Sequence, residues 1–94
     1  MVKAEMIKEI SRKTGIEKTV IETTIEAFTN VVKEKVSDNK PVTLRGFGNF
    51  TTKKRAAKVA RNIAKNTPMP IAAHYIPVFI PAKKFKDRVK KSIQ

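Results

Sequence analysis

The sequence predicts an α+β fold in one domain: two helices, a small antiparallel sheet that extends into a long two-stranded arm, and a short terminal helix. Three observations carry that expectation. Apolar residues recur at helical spacing before Pro41 and alternate after it. Turn-forming clusters, Asp38-Asn39-Lys40-Pro41 and Gly46-Phe47-Gly48-Asn49, stand where the pattern changes. The 94 residues contain no internal repeat and no low-complexity linker, and they sit near the size at which one hydrophobic core is only just sufficient.

The first helix is expected from Ala4 to Lys13, where Met6, Ile7 and Ile10 share a face and the pairs Glu5 with Lys8 and Glu9 with Lys13 suit a solvated one. Gly15 ends it. In a second, longer helix Ile21, Ile25, Phe28, Val32 and Val36 form a stripe, which Val20, Ala27 and Val31 widen beyond what one short neighbour covers. Its start has two readings, a capping box of Thr19 with Glu22 or an earlier cap at Glu17. Its end is set by Asn39, which tolerates a left-handed backbone, and by Pro41, which cannot continue a helix.

Past Pro41, Val42 and Leu44 alternate with Thr43 and Arg45, and the Gly46–Asn49 turn brings the chain back at Phe50, so a β-hairpin is expected. Residues Thr51 to Ala60 continue as a strand that is polar and basic on both faces and has little to bury. It is expected to project, and at about 3.3 Å per residue it reaches roughly 33 Å. The return strand is expected from about Pro68 to Ile76. Pro68 and Pro70 fit such a strand because amides two residues apart point to the same side, which places both missing donors on one outer edge. After Pro81, the residues Phe85, Val89 and Ile93 at four-residue spacing among lysines predict a terminal helix from Ala82 to Ile93. The organisation read from the chain is thus a helical region 1–40, a β region 41–81 with its arm at about 52–75, and a helix in 82–94.

Charge narrows the function. Against 8 acidic residues stand 21 lysines and arginines, a formal net charge of +13, which disfavours a compact state unless a polyanion supplies counter-charge. No acid lies between Asp38 and Asp87, an interval with 11 basic residues. Nucleic acid is the leading partner. A membrane surface also attracts basic charge, but Pro68, Pro70, Pro77 and Pro81 exclude a basic amphipathic helix in that stretch. No apolar run reaches 18 residues and the N-terminus opens directly into charged sequence, so neither a membrane span nor a signal peptide is expected and the default compartment is the cytoplasm. The carboxylates are confined to residues 5 to 38 and to Asp87, and Glu22 with Glu26 read as a lysine-paired surface, so no catalytic residue is expected. With no cysteine and with His74 as the single histidine, neither a metal site nor a cofactor is expected.

The order of elements, the segments Arg45-Gly46-Phe47-Gly48-Asn49-Phe50 and Arg55-Ala56-Ala57, the pair Arg61-Asn62, and Ile76-Pro77-Val78-Phe79 leading to Pro81-Ala82-Lys83 together resemble the HU and integration host factor family of bacterial DNA-bending proteins, over essentially the whole chain. The resemblance implies an intertwined dimer with a helical base, a small antiparallel β-sheet saddle and two extended β-ribbon arms that wrap the minor groove. The function it implies is architectural, the bending and compaction of double-stranded DNA in the nucleoid. It assigns Lys53, Arg55, Lys58 and Arg61 on the arm to phosphates and the minor groove, and Arg45, beside Gly46, together with Lys83 to backbone nearer the body. Asn62, Ile63, Lys65 and Lys86 complete the expected DNA-binding surface. Where the family usually has a proline after Arg-Asn, this chain has Ile63, an apolar residue able to wedge a base step. Where it commonly has glycine, Asn66 stands, and asparagine tolerates positive φ.

The broad stripe of the long helix calls for a second subunit, and a homodimer or a heterodimer with a paralogous chain fits. An isolated two-stranded ribbon is marginal in water, so the arms are expected to be mobile until DNA is present. Phe47, Phe50, Phe79 and Phe85, beside apolar neighbours, read as core packing rather than base stacking. Lys83 and Lys84 oppose the dipole at the start of the last helix, which a nearby phosphate relieves. The rival partner is structural RNA. The minor groove of A-form RNA is wide and shallow, so wedging arms favour duplex DNA.

Overall fold

The computed structural model describes residues 1–62, 64 and 67–93. In chain order the elements are α1 (Lys3–Thr14), α2 (Lys18–Ser37), β1 (Val42–Leu44), β2 (Gly48–Arg55), β3 (Lys58–Asn62), β4 (Thr67–Ile71), β5 (His74–Pro81) and α3 (Lys83–Ser92). They form two compact units, Met1–Glu34 and Lys35–Gln94.

In the first unit, Gly15 ends α1 with φ 76°, and its N–H donates to the Ser11 carbonyl at 2.8 Å. A side chain at that φ is strained, so the left-handed cap falls to glycine. The Ser11 hydroxyl donates to the Ile16 carbonyl at 2.8 Å and the Ile16 N–H to the Thr14 hydroxyl at 3.2 Å, which fixes the short link. Helix α2 then begins with the Ile21 N–H donating to the Glu17 carbonyl at 3.1 Å. The earlier of the two starts is therefore used, and Thr19 lies inside the helix. Ile7 and Ile21 are buried, at 7% and 5% exposure, and Ile25 and Val32 are half-buried behind them. Val20 and Val31, which broaden the stripe, remain 53% and 49% exposed.

In the second unit, Asn39 adopts φ 58°, and the Lys40 N–H reaches back to the Lys35 carbonyl at 2.8 Å, satisfying a last-turn carbonyl of α2. Strands β1, β2 and β5 form one antiparallel sheet in the order β1-β2-β5, and β3 pairs with β4. The β1–β2 turn is closed by the Phe47 N–H donating to the Leu44 carbonyl at 3.0 Å, with Gly46 at φ 82°. Gly48 and Asn49, expected in this turn, instead open β2, where Gly48 pairs with both Leu44 and Pro81. The reason is space: a Cβ on Gly48 would run into the Phe79 ring and stand 2.7 Å from the Ile80 carbonyl oxygen. This glycine permits a close cross-strand approach rather than a turn conformation.

The arm departs from the expected pair of continuous strands. Each strand breaks, at Ala56-Ala57 and at Ala72-Ala73; the residue offset is the same on both sides, since Arg55 faces His74 and Lys58 faces Ile71, but the hydrogen-bonding phase shifts at the break, because the prolines put the non-hydrogen-bonded rungs at Thr52–Pro77 before it and at Val59–Pro70 beyond it. Facing alanines supply little of the cross-strand packing that holds a ladder together. The His74 ring also donates from Nδ1 to the Ala72 carbonyl at 3.0 Å, a bond local to the break.

The core of this unit is aromatic. Ring centroids of Phe47 and Phe79 lie 5.1 Å apart, those of Phe50 and Phe79 4.9 Å, and Phe47 stacks on Phe85 at 5.4 Å. The packing role read from the sequence is the one these rings play. The Ala82 N–H donates to the Phe47 carbonyl at 2.8 Å, tying the start of α3 to the β1–β2 turn. Ile93, expected to extend the α3 stripe, is its C-cap and is 79% exposed, so the stripe consists of Phe85 and Val89.

Candidate nucleic-acid interface

The basic run Lys53-Lys54-Arg55 is divided by strand alternation. Lys53, opposite Ile76, and Arg55, opposite His74, share one face of the β2–β5 ladder, while Lys54, opposite Tyr75, lies on the other. All three basic residues are exposed, and Tyr75 is 62% exposed. Beyond the break, exposed Lys58 pairs with Ile71 on one face, and Val59, 70% exposed, pairs with Pro70 on the other. At the backbone, Arg61 pairs with Pro68 and Asn62 with Thr67. Ile63, Lys65 and Asn66 lie outside the described residues, and with them the expected wedge and the expected turn.

The prolines sit as the alternation argument requires. A proline has no N–H, so the rungs Val59 with Pro70 and Arg61 with Pro68 are the non-hydrogen-bonded ones, on which both residues turn their backbone groups away from the partner strand. Both missing donors therefore fall on the outer edge of β4.

Arg45 and Lys83 are at the opposite end of the unit from the arm. Arg45 is exposed in the β1–β2 turn beside Gly46, and Lys83 opens α3, which the Ala82–Phe47 hydrogen bond holds against that turn. Helix α3 has no side-chain cap at Ala82 and no acidic residue in its first turn; with the Ala82 and Phe85 amides bonded to the Phe47 and Ala82 carbonyls, those of Lys83 and Lys84 are the ones an anion can reach. Lys86 lies one turn further on, at the rim of an apolar groove formed by Phe79, Pro81, Phe85 and Val89, with Lys90 beside it. The expected residues thus fall in two groups, Arg45, Gly46, Lys83 and Lys86 at the body and Lys53, Arg55 and Lys58 on the arm.

Among the described residues, ion pairs are confined to the helical unit. Lys3 bridges Glu26 at 2.9 Å and Glu22 at 3.7 Å, and Glu9 takes Arg12 at 2.6 Å and Lys13 at 3.9 Å. The hydrogen bond to Glu26, with the charges of Glu26 and Glu22, holds the Lys3 ammonium above its ordinary pKa against an opposing desolvation. Glu22 and Glu26 are thereby the lysine-paired surface that their spacing indicates. Period-two alternation alone places Lys54 on the face opposite Lys53 and Arg55, a division that their shared charge conceals in sequence. The return strands differ, with no lysine or arginine from Thr67 to Pro81. Among the described residues no helix is long and apolar enough to cross a membrane.

A family model described as bacterial DNA-binding protein matches residues 1–90. A DNA-binding protein HU of Lactococcus lactis is 40% identical over 88 residues, covering 94% of this chain and 97% of that one. The integration host factor subunit alpha of Actinobacillus succinogenes is 32% identical over 92 residues, covering 98% and 94%. Among solved structures, an Anabaena HU–DNA cocrystal structure matches with a TM-score of 0.90 at 32% identity, covering 95% of this chain and 97% of that one. HU from Thermotoga maritima, at 21% identity and a TM-score of 0.67, shares the fold.

Proposed function

The chain belongs to the bacterial DNA-binding protein family, and from that premise we propose that it is a nucleoid-associated architectural protein, not an enzyme, that binds and bends double-stranded DNA. The observation that carries this reading is the arm: a ribbon whose strand β2–β3 carries Lys53, Lys54, Arg55 and Lys58, all exposed and, among the described residues, without a carboxylate partner. The name of the Anabaena cocrystal states that its protein was captured with DNA, and the likeness of fold supports the same ligand here.

On this reading Lys53, Arg55, Lys58, Arg61 and Lys65 bind along the arm, Asn62 and Ile63 enter the minor groove at its tip, and Arg45, Gly46, Lys83 and Lys86 hold the backbone where the duplex crosses the body. Ile63 is the apolar wedge that opens a base step. The active species is a dimer of this chain, located in the cytoplasmic nucleoid. Support for the dimer is the exposed apolar half of α2 at Val20 and Val31 and an aromatic core whose members Phe47 and Phe79 stay 44% and 37% exposed. A core this open is characteristic of a surface that a second subunit completes.

Salt-dependent titration of duplex DNA tests the assignment. Counterion release makes the logarithm of affinity fall linearly with the logarithm of salt concentration, at about 0.9 per neutralised phosphate. A steep slope, shared by duplexes of unrelated sequence, is expected. A shallow slope, or equal preference for duplex RNA, contradicts the assignment.

A further inference from the structure

The two long edges of the arm differ in both charge and backbone chemistry. The outgoing strand β2–β3 carries Lys53, Lys54, Arg55, Lys58 and Arg61, whereas the return strands, from Thr67 to Pro81, carry no lysine or arginine. The prolines sharpen this asymmetry. Thr52 pairs with Pro77, Val59 with Pro70 and Arg61 with Pro68, and because a proline cannot donate, each of these is a non-hydrogen-bonded rung. Lys54 with Tyr75 lies two rungs from Thr52 with Pro77 and has the same character. On such rungs every backbone N–H and C=O points outward. The β2–β3 edge therefore presents the amides of Lys54, Val59 and Arg61, while the return edge presents carbonyls at Pro68, Pro70 and Pro77 with no amide at those three positions, and an outward amide at Tyr75. β1 pairs with β2 only as far as Phe50, and β3 pairs with β4 alone, so among the described residues no strand covers the outward amides of Lys54 and Val59.

We propose that the arm is polarised across its width: its β2–β3 edge lies against DNA phosphodiesters, and the backbone amides of Lys54 and Val59 donate to phosphate oxygens between the flanking cations Lys53, Arg55 and Lys58. The inference rests on the DNA-binding reading above and adds which edge meets the phosphates and through which groups. Amide donors and cations on one edge match an anion that accepts hydrogen bonds. The return edge, without cations and with only acceptors at its prolines, is the poorer chemistry for phosphate and is closed to strand addition at Pro68, Pro70 and Pro77.

The test is Val59→Pro, set beside Pro70→Val. Each changes one outward position of a non-hydrogen-bonded rung and leaves the ladder bonds in place. Val59→Pro is expected to weaken binding of a duplex by about tenfold, the loss of a hydrogen bond to a charged acceptor, while Pro70→Val, which restores an amide on the other edge, leaves affinity within about twofold. Wild-type affinity in Val59→Pro, or an equal effect from Pro70→Val, overturns the proposal. A readout that needs no variant guards against a distorted arm: in the wild-type chain, amide hydrogen exchange at Lys54 and Val59 is expected to slow when DNA is added. No slowing on DNA, or slowing that instead follows protein concentration without DNA and so assigns the edge to a second copy, overturns it as well. A wild-type chain that binds no duplex at moderate salt overturns the DNA-binding reading itself, an outcome distinct from these.

Discussion

Residues 1–38 carry seven basic and seven acidic residues, whereas residues 39–94 carry fourteen basic residues and one acid, Asp87. The helical segment settles its charges internally, with Lys3 held between Glu22 and Glu26 and Glu9 between Arg12 and Lys13. Among the described residues, the β segment and the last helix leave their cations exposed. The contrast separates two tasks: the helices contribute apolar area for folding and assembly, and the sheet and arm hold a field of positive charge that a polyanion completes. Apolar surface follows the same division, since the helical unit buries Ile7 and Ile21 yet keeps Val20 and Val31 outward, and the arm buries almost nothing.

Substitutions on the two sides are expected to fall on different measurements. The largest effect belongs to Ile21→Ala, which removes one of the few buried side chains and is expected to destabilise the fold by about 3 kcal/mol in chemical denaturation, with little change in the DNA affinity of the fraction that remains folded. A comparable loss of affinity in that fraction blurs the division. Gly48→Ala is next. Its Cβ meets the Phe79 ring and the Ile80 carbonyl, and the strand must shift, so a loss of about 2 kcal/mol is expected. An unchanged unfolding midpoint would show that the sheet has slack the packing does not suggest.

Arg55→Ala acts on the other side of the comparison. It is expected to leave unfolding unchanged, to weaken binding roughly threefold to tenfold for every duplex sequence alike, and to flatten the salt slope by about 1 for each arm. A loss confined to one sequence contradicts a backbone role. The smallest effect is at Lys3, whose carboxylate partners raise its pKa above the ordinary 10.5. A raised lysine pKa contributes stability that is present in full below the unfolded value and is lost as pH rises through the folded one. The stability of the wild type is therefore expected to fall slightly more steeply than that of Lys3→Met above pH 10.5, a difference visible only by subtracting one titration from the other. Because Lys3 is solvent-exposed, a large difference would mean the pair is more shielded than its geometry indicates.

How far the sequence was legible varied with the kind of signal. Gly15, Asn39 and Pro41 punctuate the helices through backbone constraints that hold in any context, and the helix ends fall where those residues require. The four phenylalanines cluster as their apolar neighbours indicate. Gly48 was less legible, because a glycine needed for close approach by Phe79 looks in sequence like a glycine needed for a turn. The break at Ala56-Ala57 and Ala72-Ala73 was hidden too: alanine forbids no strand, and only the cross-strand register of the flanking residues puts the four alanines opposite one another. For the candidate site, residue types and charge were readable along the chain, and alternation separates Lys54 from Lys53 and Arg55. The asymmetry between the arm's edges required the pairing of each proline, which is a property of two strands and not of one.

The central claim is that this cationic arm bends DNA rather than merely coating it. End-to-end fluorescence transfer on a doubly labelled duplex of about 35 base pairs tests that most directly, because DNA far shorter than its persistence length is nearly straight when free. Titration with the wild-type chain is expected to raise transfer to a plateau, and Ile63→Ala to lower that plateau more than it lowers affinity. Saturable binding with no change in transfer would contradict the claim.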